Sequence, residues 1–345
     1  MTAAPTSIWY TRCPAPTPVS LAAQLGWIDA TFAKHGVAVA SIRDSADPRV
    51  RESHYTHALD WSFRQGGNIP PIWARSGGRE TRVVGITTTD EFQAIIALPT
   101  SGIREAGDLT GRRIGIPRKA DDGIIDFQRA TALKGTVSAL SLAGLTAADV
   151  ELVYLDQPLP PAQQDAQGSF FGLKRRLPYG REVLAAARGE IDAFFVKGAE
   201  GLVLANQIGA RVVSEFGFHP DPKMRINNGT PRPLTVDTRF LDERPDLVAD
   251  LVATVARVDG WAQAHPDEAV RFIARELGVG EEAIRAANGP DVHRHLALTL
   301  DDAQVAAFTH FSAFLREWGF IPADVDAAAW IAAGPLATAT HSLAA

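Results

Sequence analysis

Cysteine is almost missing from this chain. Cys13 is the only one in 345 residues, which excludes an intramolecular disulfide and removes any requirement for an oxidising compartment. Long hydrophobic runs are missing as well: each apolar stretch is interrupted by charge, so no transmembrane helix is expected. There is no basic excess. The formal net charge of −6 speaks against a nucleic-acid binder, whose footprint would be a basic stripe. No Walker loop, Gly-x-Ser-x-Gly elbow or dinucleotide fingerprint is present, and the Gly-Arg-Arg-Ile-Gly-Ile run at 111–116 fits a turn ahead of a strand. The first seven residues carry no Lys or Arg and lead into no apolar run of signal-peptide length, so the expected location is the cytoplasm.

What is present describes a globular protein with room for two domains: 46% hydrophobic and 21% charged residues over 345 positions. Residues 7–11, 37–42 and 83–87 read as strands, with helical segments at 19–25 and 30–35 and a stop at Gly36. A second block, 98–213, alternates helices (124–143, 181–188) with strands (150–155, 191–196), a spacing that predicts a parallel sheet covered on both faces. A Pro/Gln/Gly-rich loop is expected near 157–172. The remainder is rich in helices, and Leu247, Val248, Leu251, Val252 and Val255 form a stripe that faces a core. The expected division is therefore 1–97 plus 214–345 as one lobe and 98–213 as the other.

Cys13 lies where the first strand gives way to a helix with Thr17 as N-cap and Pro18 in its first turn. At such junctions α/β folds gather backbone N–H groups and the positive end of a helix dipole, and Arg12 next door favours a thiolate. The bland alternative is a small buried hydrophobe.

The phrase from Gly102 to Pro117, the Gly-Glu-Ile-Asp-Ala run at 189–193 and the helical tail resemble the substrate-binding proteins of sulfonate, nitrate and taurine transporters. That resemblance implies the α/β type II periplasmic-binding-protein fold, with two α/β lobes and ligand in an interlobe cleft. A further set of residues is more specific: Thr11-Arg12-Cys13-Pro14, then His54, then Arg64-Gln65-Gly66-Gly67-Asn68-Ile69-Pro70-Pro71. It is similar to the 2'-hydroxybiphenyl-2-sulfinate desulfinase family. In that pattern a Cys-Pro follows the first strand, an arginine stands ten residues after a histidine, and a Gly-Gly-x-Ile-Pro-Pro segment follows. His54 and Arg64 keep the interval; His57 does not.

The resemblance implies a desulfinase that releases sulfite from an aromatic sulfinate with no cofactor or metal, acting on a small organic sulfinate or sulfonate anion; a monomer is expected. Cys13, His54 and Arg64 would be catalytic, and Thr11, Gly66 and Gly67 would bind substrate. Arg64 suits a bidentate pair with the sulfinate oxygens. Gly66 and Gly67 let the main chain approach, with the Gly67 N–H aimed at an oxyanion by the helix that Pro70 and Pro71 begin. Cys13 serves either as thiolate attacking sulfur or as thiol protonating the ring carbon. His54 orients the sulfinate or tunes the thiol. The competing reading is a non-catalytic solute-binding protein of an ABC transporter, in which Cys13 is incidental. The His54-x-x-His57 pair lacks a third metal ligand at suitable spacing, and His293 and His295 are expected to face solvent.

Overall fold

Two five-stranded sheets organise the chain, seen here in a computed structural model that describes residues 7–157 and 178–344. Most of the predicted 157–172 loop lies outside the described residues. The structure divides into one unit of Met1–Glu91 with His219–Ala345 and another of Phe92–Phe218.

The first unit begins with β1 (Ser7–Arg12), α1 (Pro18–Gln24), α2 (Trp27–Ala33), β2 (Ala38–Ser41), α3 (Pro48–Thr56), β3 (Ser62–Gln65), α4 (Ile69–Ser76) and β4 (Thr81–Thr87). Local chemistry sets these limits. The Thr17 hydroxyl accepts from the Ser20 N–H at the start of α1, Asp47 does the same for Arg49 ahead of Pro48 in α3, and Gly36 takes a positive φ after α2.

The second unit holds β5 (Gln93–Ala97), β6 (Arg113–Arg118), α5 (Phe127–Leu142), β7 (Glu151–Asp156), α6 (Gly180–Ala187), β8 (Ala193–Lys197), α7 (Gly198–Gln207) and β9 (Arg211–Glu215). The chain then returns to the first unit through α8 (Pro222–Arg225), β10 (Arg232–Asp237), α9 (Thr238–Glu243), α10 (Pro245–Ala264) and further helices. The apolar stripe read at 247–255 is the buried face of α10.

The sheet orders are β2-β1-β3-β10-β4 and β7-β6-β8-β5-β9. Neither sheet is all-parallel, which corrects the expectation for the second block: β5 runs antiparallel to β8 and β9, as β10 does to β3 and β4. The two reversed strands are the first strands after the chain passes from one unit to the other, so no crossover helix within the unit turns them parallel.

Packing in the second unit is close where α5 meets its sheet. A Cβ at Gly135 would overlap the ring of the buried Phe195. Gly135→Ala should therefore cost about 1–3 kcal/mol, read as a lower urea midpoint at unchanged slope.

Candidate functional site

Register places the first three groups. In the parallel β1/β3 pair Thr11 stands beside Arg64 and Arg12 beside Gln65, and the Cys13 N–H donates to the Gln65 carbonyl at 3.2 Å, one residue past β1. Alternation along the strand puts Thr11, Arg64 and Cys13 on one face and Arg12 on the other. Arg12 accordingly pairs with Glu276 at 3.4 Å and is not the cation beside the thiol.

That cation is Arg64. Its guanidinium is buried at 3% exposure and makes three separate contacts. Nε donates to the His54 carbonyl (3.1 Å), Nη1 to the Gly67 carbonyl (2.8 Å), and Nη2 to Cys13 Sγ (3.5 Å). His54, in the last turn of α3, brings its ring Nε2 to 3.7 Å from the same sulfur.

The glycines explain how the sulfur fits. A Cβ on Gly66 would overlap Cys13 Sγ and come within 2.7 Å of Cys13 Cβ, so only glycine leaves room for the thiol. The next residue, Gly67, donates its N–H to the cysteine sulfur. Burial raises the Cys13 pKa, but the Arg64 charge, the His54 ring and the Gly67 N–H outweigh it and bring the thiol from an ordinary 9.0 down to about 6. The sulfur is a thiolate at neutral pH.

The neighbouring helix starts are closed to an anion. At α1, Thr17 takes the Ser20 N–H and the Gln65 side chain takes the Val19 N–H at 3.0 Å. At α4, the Asn228 side chain accepts the Ile69 N–H at 3.0 Å, and Pro70 and Pro71 have no N–H to offer. Anion affinity at this end of the sheet therefore resides in the groups around Cys13.

Other expected residues sit further out. Thr11 is buried next to Arg64, and among the described residues no hydrogen bond joins its hydroxyl to the sulfur. His57 caps α3 in a left-handed conformation (φ 52°) and is buried; burial first, then Arg64, hold it well below an ordinary imidazole pKa and hence neutral. His293 is buried rather than solvent-facing, because it lies in a short 3-10 turn (Val292–Arg294) beside the core residue Val292, whereas His295 is exposed. Among the described residues no group of three His, Cys, Asp or Glu side chains is arranged to hold a metal ion.

Three supporting residues carry no signal in the sequence. Gln65 ties β3 to α1 and, through Nε2, to Thr87 at 3.0 Å. Asn68 donates to the Asn227 carbonyl at 2.8 Å and the Pro231 carbonyl at 2.9 Å. Asn228 lies against Gly67, where a Cβ would stand 2.5 Å from its Oδ1. Only the Gly-Gly pair, which demands close neighbours, hints at such contacts.

Sheet order and the placing of ligand-competent groups at the carboxyl ends of β1 and β3 define an α/β protein of the periplasmic-binding-protein class. The periplasmic aliphatic sulphonate binding protein SsuA of Escherichia coli has the same fold, with TM-score 0.66 and 16% identity over 95% of this chain and 92% of that one. Within the class the chain is homologous to the 2'-hydroxybiphenyl-2-sulfinate desulfinase of Rhodococcus erythropolis, at 27% identity over 352 residues, 94% of this chain and 91% of the relative. A cysteine-to-serine variant of the desulfurization enzyme DSZB, crystallised with biphenyl-2-sulfinic acid, superposes with TM-score 0.77 and 25% identity over 97% of this chain and 99% of the other. No protein-family model matches the chain.

Alkylation of Cys13 by iodoacetamide should follow a single titration with a midpoint near pH 6. Arg64→Gln should move the midpoint up by about 1 unit or more, and His54→Gln by less. The sign carries over to stability. A folded value below the ordinary 9.0 means that the thiolate contribution is complete above pH 9 and is lost as the pH falls toward 6.

Proposed function

We propose that this protein is a desulfinase that cleaves the carbon–sulfur bond of an aromatic sulfinate and releases sulfite. One observation carries the reading: the only cysteine is a thiolate at neutral pH, held by Arg64 Nη2, His54 Nε2 and the Gly67 N–H. It occurs in a chain similar over 94% of its length to a sulfinate desulfinase. The aryl sulfinate is inferred from the name of that relative and from the biphenyl-2-sulfinic acid found with DSZB.

In the reaction we infer, Cys13 Sγ attacks the sulfinate sulfur. The electron pair of the carbon–sulfur bond passes to the ring carbon, which takes the proton carried at His54 Nε2, and the arene leaves. The cysteine then bears an S–SO₂⁻ group. Water adds to that group and breaks the S–S bond, giving one bisulfite and the Cys13 thiol, whose proton passes back to His54 Nε2 to restore the thiolate. Arg64 keeps the sulfur ionised for attack. With Nε and Nη1 already on main-chain carbonyls, it offers substrate one edge at Nη2 rather than an open bidentate fork. Gly66 and Gly67 admit the reacting group beside the sulfur, and Thr11 fills the space next to Arg64. These groups all come from one chain, which suits a monomer. A reducing cytoplasm keeps a solitary thiolate in its active form.

The thiol-as-acid route makes the opposite demand. Attack by thiolate makes kcat/KM rise through a midpoint near pH 6, whereas protonation of carbon by thiol makes it fall there. A rising limb is expected. Sulfite release from a panel of aryl and alkyl sulfinates, without added metal or nucleotide, tests the reading itself. Cys13→Ser should lower the rate by at least about 10³-fold. Tight binding of the panel by the unaltered protein with no sulfite formed would instead identify a solute-binding protein.

A further inference from the structure

A sulfinate brings two oxygens, and the groups around Cys13 have few donors left for them. Two sides of Arg64 are bound to the His54 and Gly67 carbonyls, the Gly67 N–H is on the sulfur, and the first N–H of α4 is on Asn228 Oδ1. One side-chain donor at this turn has no acceptor among the described residues. Asn228 Nδ2 meets no hydrogen-bond partner among the described residues, and its side chain is half-buried and so reachable. We propose that Asn228 Nδ2 is a substrate-binding donor, giving its hydrogen bond to one sulfinate oxygen while sulfur faces Cys13. The proposal rests on the sulfinate reading above.

Three features support it. The amide is oriented by its partner: Oδ1 accepts the Ile69 N–H, so the NH₂ end is the free one. The main chain behind it is also held. The Asn228 N–H donates to Asn227 Oδ1 at 2.8 Å and its carbonyl accepts from the Asn68 N–H at 3.1 Å, so with Oδ1 on the Ile69 N–H little freedom remains to be lost on binding. Finally, it is in the right place. Cys13 Sγ occupies the side-chain space of Gly66 and the Asn228 carboxamide that of Gly67, so thiol and amide flank one two-residue segment. A neutral donor suits this position because it binds an anion without adding charge beside the Arg64–Cys13 pair.

The test uses biphenyl-2-sulfinate as probe and calorimetric binding as readout, in a Cys13→Ser background that cannot turn it over. Adding Asn228→Asp, which keeps the acceptor for Ile69 but removes the donor, should weaken binding by about 10- to 100-fold at an unchanged melting temperature. Asn228→Ala should weaken it comparably, and in the Cys13 protein it should leave the alkylation midpoint near pH 6. Binding within twofold of the Cys13→Ser parent, an alkylation midpoint returning toward 9, or a parent that does not bind the probe would each overturn the proposal. Sulfite release by the unaltered protein is scored separately. A protein that binds the probe through Asn228 but forms no sulfite would fail the desulfinase reading while leaving this assignment standing.

Discussion

A buried guanidinium facing a thiolate is the interaction on which the rest of the site depends. Taking a cation out of water is expensive unless an opposite charge accompanies it. For Arg64 that charge is the Cys13 sulfur: burial lowers the guanidinium pKa, the thiolate opposes that shift, and Arg64 in turn holds the sulfur ionised. Two further guanidinium N–H groups, on Nε and Nη1, donate to carbonyls, which solvate the cation without neutralising its field. A carboxylate in their place would bind Arg64 more tightly and leave the thiol with an ordinary pKa.

That arrangement explains why so much of the surrounding structure is main chain. Cys13 and Gly66 approach each other too closely for any extra carbon, and the Asn228 side chain leaves room for none at Gly67. The turns that carry them are fastened by buried amides, Gln65 on one side and Asn68 on the other. Gln65 also occupies an N–H at the start of α1, and Asn228 one at the start of α4, groups that in many α/β proteins would receive the anion. The attraction for negative charge is thereby concentrated on the sulfur. A thiolate held in this way differs from a site that only holds an oxyanion, and the fold itself accommodates either.

Much of this was legible before any coordinates, and the exceptions have physical causes. Strands 7–11 and 83–87, the Thr17 cap and the α10 stripe follow from period, capping chemistry and burial. β3 and β10 do not. Ser62-Phe63-Arg64-Gln65 buries two polar side chains and shows no alternation, and Arg232–Asp237 contains a proline in a strand between two others. Pro233 is tolerated because β3 pairs with β10 only from Leu234 onward. The reversed direction of β5 and β10 was equally invisible, since direction depends on where the chain passes between units and not on local pattern.

The sequence by itself determined the residue types of the chemistry: one cysteine, a histidine and an arginine ten residues apart, and a Gly-Gly turn that leaves room beside them. Those facts are local or nearly so, and spacing preserves them. Only the tertiary structure decided which cation serves the sulfur, because strand register turns Arg64 toward Cys13 and Arg12 away to Glu276. It also brought Asn228, some 160 residues distant along the chain, onto Gly67. Contacts of that range depend on strand order and direction, which no local window of residues encodes.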